Sequence, residues 1–181
     1  MFVLRLPDAP RNFRLTQRVN HSVTLEWQQP KKSGSLKELA YNIYALDSNS
    51  EVLYTIAANV TGLNYTADSS SWIPGDLQIL SIEAVNEKGR SVKQTTLQYL
   101  YLTEPSKIES FYELAEERSA QGVALQWHEP TTLGGFPSVD YLVTCLDENS
   151  ETLGIFKGLN VTQLTVQNLE LGKRYRFSVK A

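Results

Sequence analysis

The sequence predicts an all-β chain folded as two antiparallel β-sandwiches in tandem, the second lacking its last strand. Three observations carry this. The chain repeats itself: Val23-Thr24-Leu25-Glu26-Trp27-Gln28-Gln29-Pro30 is matched by Val123-Ala124-Leu125-Gln126-Trp127-His128-Glu129-Pro130, which sets Trp27 and Trp127 one hundred residues apart. Fourteen residues beyond each Trp stands a Tyr, opening Tyr41-Asn42-Ile43-Tyr44-Ala45-Leu46-Asp47 and Tyr141-Leu142-Val143-Thr144-Cys145-Leu146-Asp147. A period of that length is too long for a solenoid unit and suits one small domain used twice. The apolar residues also alternate with period two, and no segment shows a capped helical stripe.

The elements follow in order. Val23, Leu25 and Trp27 alternate with Thr24 and Glu26, the mark of a strand buried on one face. The Tyr41 segment supplies the next strand. Val52 to Ile56, Leu77 to Val85 and Val92 to Leu97 supply more. In the second unit the strands fall at Val123 to Trp127, the Tyr141 segment, Thr152 to Phe156, Gln163 to Val166 and Tyr175 to Val179. Polar or Gly/Pro breaks separate them at Pro30 to Ser35, Asp47 to Glu51, Asn86 to Arg90, Pro130 to Pro137 and Asp147 to Glu151. Trp27 and Trp127 are expected between the sheets, packed near Tyr41 and Tyr141. Many short strands at this spacing point to a sandwich.

With these residues in place, both units resemble the immunoglobulin-like fibronectin type III domain. A proline-opened first strand (Pro7-Asp8-Ala9-Pro10), a Trp followed three residues on by Pro, and the Tyr of the third strand fit that pattern. So do Ser81-Ile82-Glu83-Ala84-Val85-Asn86-Glu87-Lys88-Gly89-Arg90-Ser91, at the turn between strands F and G, and Leu169-Glu170-Leu171-Gly172-Lys173-Arg174-Tyr175, at the entry to strand F. The resemblance implies domains at residues 5–102 and 103–181 and makes Tyr175 a core corner residue. In the first unit Gln78 stands where that Tyr is expected; either its amide or the ring of Trp72 takes the role. The second unit reaches only the start of the Ala-Val-Asn of the first, so it is expected to be C-terminally incomplete, without strand G.

Composition narrows the function classes. The chain has 41% hydrophobic and 20% charged residues and a net charge of -3, values of an ordinary globular protein with no electrostatic reason to bind nucleic acid. No run of 18 apolar residues exists, so direct membrane insertion by this segment is not expected. The two histidines, His21 and His128, form no ligand cluster with the single cysteine, Cys145, which the alternation turns inward. Acidic pairs such as Glu116-Glu117 lie in turns. Neither a catalytic constellation nor a cofactor, metal or phosphate site is predicted. Four Asn-x-Ser/Thr acceptors, at Asn20, Asn59, Asn64 and Asn160, point to a secreted compartment.

Facing predicts a binding surface. With Tyr41, Ile43 and Ala45 inward, Tyr44 and Leu46 point outward, and with Leu80, Ile82 and Ala84 inward, so do Ile79 and Val85. Leu142 and Leu146 repeat the arrangement in the second unit. Scattered apolar surface residues are ordinary; the sharper reading is a partner-binding face. Arg5, Arg11, Arg14 and Arg18 along the first strand read as solvated or as a holder of sulfated glycan. The resemblance implies an extracellular interaction or spacer module of a plasma-membrane receptor or adhesion protein, with a protein ligand or neighbouring domains of the same receptor as partners. The alternative is a scaffold array of an intracellular, muscle-type protein.

Overall fold

The computed structural model describes residues 3–181. It divides into two compact units, Met1–Tyr101 and Leu102–Ala181. In the first, β1 (Arg11–Val19), β2 (Ser22–Gln28) and β5 (Asn64–Asp68) form one antiparallel sheet in the order β1-β2-β5. The other sheet runs β4 (Val52–Val60), β3 (Ala40–Leu46), β6 (Leu77–Asn86). The far edge of β6 is shared by β7 (Gly89–Arg90) and β8 (Thr95–Leu100).

The second unit repeats this with β9 (Phe111–Glu113), a 3-10 turn at Ala115–Glu117, β10 (Val123–Trp127), β11 (Tyr141–Leu146), β12 (Thr152–Leu159), β13 (Gln163–Val166) and β14 (Arg176–Lys180). Its sheets run β13-β10-β9 and β12-β11-β14. Registers repeat as well: Val143 faces Val179 as Ile43 faces Ile82, and Leu146 faces Arg176 as Leu46 faces Ile79. β14 is therefore the counterpart of β6. No strand of the second unit corresponds to β8, and β14 pairs with β11 alone among the described residues.

Alternation explains the cores. Val23, Leu25 and Trp27 are buried while Thr24 and Glu26 on the opposite face are only half-buried. Trp27 meets Tyr41 edge-on at 5.3 Å and Phe13 at 6.3 Å; Trp127 meets Tyr141 at 5.5 Å and Phe111 at 6.3 Å. Each cluster joins the inner faces of the two sheets of its own unit. Trp72 is buried, meets Tyr101 edge-on at 5.4 Å, and donates its indole N–H to the Tyr54 hydroxyl.

Tyr175 departs from the core role expected of it. It is half-buried and lies outside the second apolar cluster, because no strand among the described residues pairs with the far edge of β14 to cover it. Its hydroxyl does accept the backbone N–H of Glu170 at 2.7 Å. The Val92 to Leu97 strand also shifts. Val92 is exposed in a bend, and β8 begins at Thr95, because Ser91 turns the chain: its Oγ accepts the Ala84 N–H and donates to the Lys93 carbonyl.

Repeated turns fix the strands in both units. Asp47 Oδ1 accepts the N–H groups of Asn49 and Glu51 at 2.9 and 2.8 Å, and Asp147 Oδ1 holds Asn149 and Glu151 at the same distances. Asx turns of this kind tie a loop to its own backbone. The leading segments are strapped alike. Arg5 N–H donates to the Gly34 carbonyl and Thr103 N–H to that of Gly134, each at 2.9 Å.

Candidate functional site

The outer face of the β4-β3-β6 sheet holds most of the residues expected to meet a partner, and several are not open to solvent. Tyr44 (8% exposed) and Leu46 (6%) are buried, contrary to the expectation of water-facing side chains. Neither belongs to the inner cluster, so they do lie on the outer side. The correction concerns what covers them. β3 and β6 are flanked by strands on both sides, and Glu83 accepts at one carboxylate oxygen from Tyr44 Oη (2.7 Å) and Asn42 Nδ2 (2.9 Å). Arg90 reaches across, its Nη1 3.3 Å from Glu83 and donating to Tyr44 Oη at 3.2 Å. Asn42 Oδ1 in turn accepts the Asn59 N–H.

This network closes the centre of the face. Burial raises the Tyr44 phenol above its ordinary value, and the Glu83 hydrogen bond and charge add to the rise, with Arg90 and Asn42 opposing. Glu83, itself buried, is compensated by two hydrogen-bond donors and the Arg90 charge, as a buried carboxylate must be. The arrangement offers no free nucleophile or open polar pocket. Ile79 and Val85 are half-buried, and so are Leu142 and Leu146 of the second unit. None of the four is the exposed anchor that facing alone predicted.

Apolar exposure lies at one end of the same face. Leu46 pairs with Val52 and with Ile79, and Leu77, two residues before Ile79, pairs with Leu100. Paired residues share a face, so the five form one strip. Three of them are open: Val52 at 53%, Leu77 at 54% and Leu100 at 50% exposure. Sequence reasoning missed all three, because the signal that joins them is cross-strand register, which alternation within one strand does not contain. The strip is not copied in the second unit, where Arg176 replaces Ile79.

All four acceptor asparagines are exposed. Asn20 sits in the β1–β2 turn and Asn59 in β4, both in the left-handed backbone region at φ 52 and 57. Asn64 opens β5, and Asn160 directly follows β12. Of the expected arginine row, Arg14 is paired with Glu26 at 3.2 Å, and Arg11 Nε donates to the Gln29 carbonyl at 3.0 Å. Cys145 is buried, and desolvation pushes its thiol pKa up.

The strand order of each unit, with the Trp of β2 and β10 between the sheets and the Tyr of β3 and β11 against it, settles the architecture. Both units are antiparallel two-sheet sandwiches with the immunoglobulin-like fold that fibronectin type III domains share. No protein-family model matches the chain. Among curated proteins it is 26% identical to tenascin-R of Gallus gallus over 96% of its length, and 26% identical to cardiac-type myosin-binding protein C of Gallus gallus over 99%. It is also 26% identical to ephrin type-B receptor 2 of Coturnix japonica over 97%. The chain spans only 12%, 14% and 19% of these three relatives.

Solved structures similar to the chain include a two-domain fibronectin type III segment of chicken tenascin. It is 15% identical, with a TM-score of 0.43, over 95% of this chain and 90% of that one. Another is the FN1–FN3 segment of chicken CNTN1, 14% identical, with a TM-score of 0.45, over 96% of this chain and 62% of that one. Among the described residues, no helix is long and apolar enough to cross a membrane.

Proposed function

We propose that this type III pair is a non-catalytic interaction and spacer module of the extracellular portion of a cell-surface receptor or adhesion protein. The observation that carries the reading is the exposure of all four acceptor asparagines, beside an open apolar strip on the first unit. Asn59 lies seven residues along β4 from Val52, about 23 Å at the rise of an extended strand. A glycan on Asn59 would therefore leave the strip free for a protein partner, either a ligand or a neighbouring domain. Similarity to tenascin-R and to an ephrin receptor supports the cell-surface setting.

A scaffold array inside a muscle-type cell is the second reading, favoured by the similarity to myosin-binding protein C. The two diverge over the asparagines, since N-glycosylation takes place only on the secretory route. For the contact itself, the 181-residue protein and a Leu77→Asp, Leu100→Asp double variant are compared for binding to cell surfaces and to neighbouring receptor domains. The reading expects binding to fall at least tenfold while the melting curve stays in place. Binding that survives the double change removes the strip from the account.

A further inference from the structure

Strand β4 is an outer strand of its sheet: it pairs with β3 on one side and with no strand on the other among the described residues. It lies mid-chain, between β3 and β5, so its open edge is a property of the first sandwich itself. A free strand edge presents unpaired N–H and C=O groups, and proteins ordinarily guard it with charge, proline or bulges. From Val52 through Ala67 the chain has neither a charged residue nor a proline. Bulges are the one guard present, at three register shifts against β3 that curve the strand. Between them Tyr54 and Thr55 pair with Ala45 and Tyr44 without interruption.

Three adjacent side chains at the start of this edge are apolar and open: Val52, Leu53 and Tyr54 are 53%, 63% and 45% exposed. The shared frame does not require them. By the register that equates β4 with β12, Thr152 stands where Val52 does and Gly154 where Tyr54 does, and Lys157 sets a charge on the second strand. The Tyr54 hydroxyl accepts the indole N–H of Trp72, which fixes its ring beside the edge. A consecutive run of exposed apolar side chains on an uncharged edge is surface that gains from being covered by another strand.

We propose that β4 pairs antiparallel with β4 of a second copy of this chain, about a twofold axis at Thr55. A twofold axis presents a surface to itself, so every charge on it meets its own image or a near neighbour of that image. Only an edge without charge escapes this repulsion, and β4 carries none along its length. Thr55 then faces its own image on the outer side of the sheet, where it neighbours Tyr44, and Leu53 and Tyr54 of each copy cover the edge of the other. The paired stretch, Val52 to Ala58, stops one residue short of Asn59. The proposal rests on the reading of the first unit as an interaction module and names one partner for it; it shares only Val52 with the strip.

The test is sedimentation of the intact 181-residue protein over a concentration series, with hydrogen exchange across residues 52–58 followed in parallel. The mass is expected to move from monomer toward dimer, and exchange across 52–58 to slow over the same range. Thr55→Lys and Thr55→Glu each set a charge against its own image on an exposed position. Each is expected to weaken association by about tenfold or more, with the melting curve of the dilute protein unchanged, and an equal mixture of the two is expected to associate again. The Leu77→Asp, Leu100→Asp variant loses the strip and keeps β4, so it is expected to dimerise as the wild type does; this separates failure of the strip from failure of the edge. A wild type that stays monomeric throughout overturns the proposal and leaves the edge to a strand of a different protein. So does a dimer that survives either charge at Thr55, a mixture that stays monomeric, or a dimer lost with Leu77 and Leu100.

Discussion

Trp27 and Trp127 each fill the space between two sheets and touch the same pair of aromatic neighbours, Tyr41 and Phe13 in one unit, Tyr141 and Phe111 in the other. Truncating either to Ala is expected to cost about 3–5 kcal/mol, a large share of the stability of a small domain, read from denaturant midpoints. These residues were legible in the sequence because alternation assigns a side chain to a face. Tyr44 shows the limit of that signal. Alternation put it on the outer side correctly but said nothing of Arg90, which reaches it from β7, or of Glu83 on β6. Tyr44→Asp is therefore expected to unsettle the first unit by setting a second carboxylate against Glu83, and Glu83→Ala to cost about 1–3 kcal/mol by stranding its donors.

Burial of the Tyr44 phenol also has a consequence in alkali. Its pKa is raised above the ordinary value near 10. The folded unit thus holds that proton more tightly than the unfolded chain. The resulting stability is complete below the unfolded value and is lost as pH climbs through the raised one. Denaturation midpoints followed from neutral pH to about 11 are expected to fall more steeply for the wild type than for Tyr44→Phe. Equal slopes would show that the hydroxyl titrates as it does in water.

Among the elements, the straps that lead into each sandwich depend on glycine. Gly34 and Gly134 have φ of 65 and 68, and a Cβ on either would collide with the carbonyl oxygen of Arg5 or Thr103. Gly34→Ala and Gly134→Ala are each expected to release the strap and to cost at least about 1 kcal/mol, measured by melting and by faster exchange at Arg5 or Thr103. Most strands could be read from period two and the breaks between them. β8 was read about three residues early, because Val92 continues an apolar pattern that the Ser91 hydrogen bonds interrupt. The apolar strip was hidden for a related reason: Val52, Leu77 and Leu100 sit on three strands and become neighbours only once register is known.

Taken whole, the molecule presents two sandwiches that share a frame and differ in surface. The first carries a polar network and an apolar strip on its outer sheet; the second has Arg176 in the place of Ile79. Duplication made the frame readable, since each unit confirms the strand order of the other. The surfaces are where the copies diverge, and the repeat gives no guide to them. The proposed role as an extracellular module rests most directly on the four exposed asparagines. The decisive measurement is site-by-site mapping of N-glycans on the native parent protein isolated from its own tissue. Glycan is expected on at least two of Asn20, Asn59, Asn64 and Asn160, with a matching mobility shift on glycosidase digestion. Native protein bare at all four positions would contradict it and favour the intracellular scaffold.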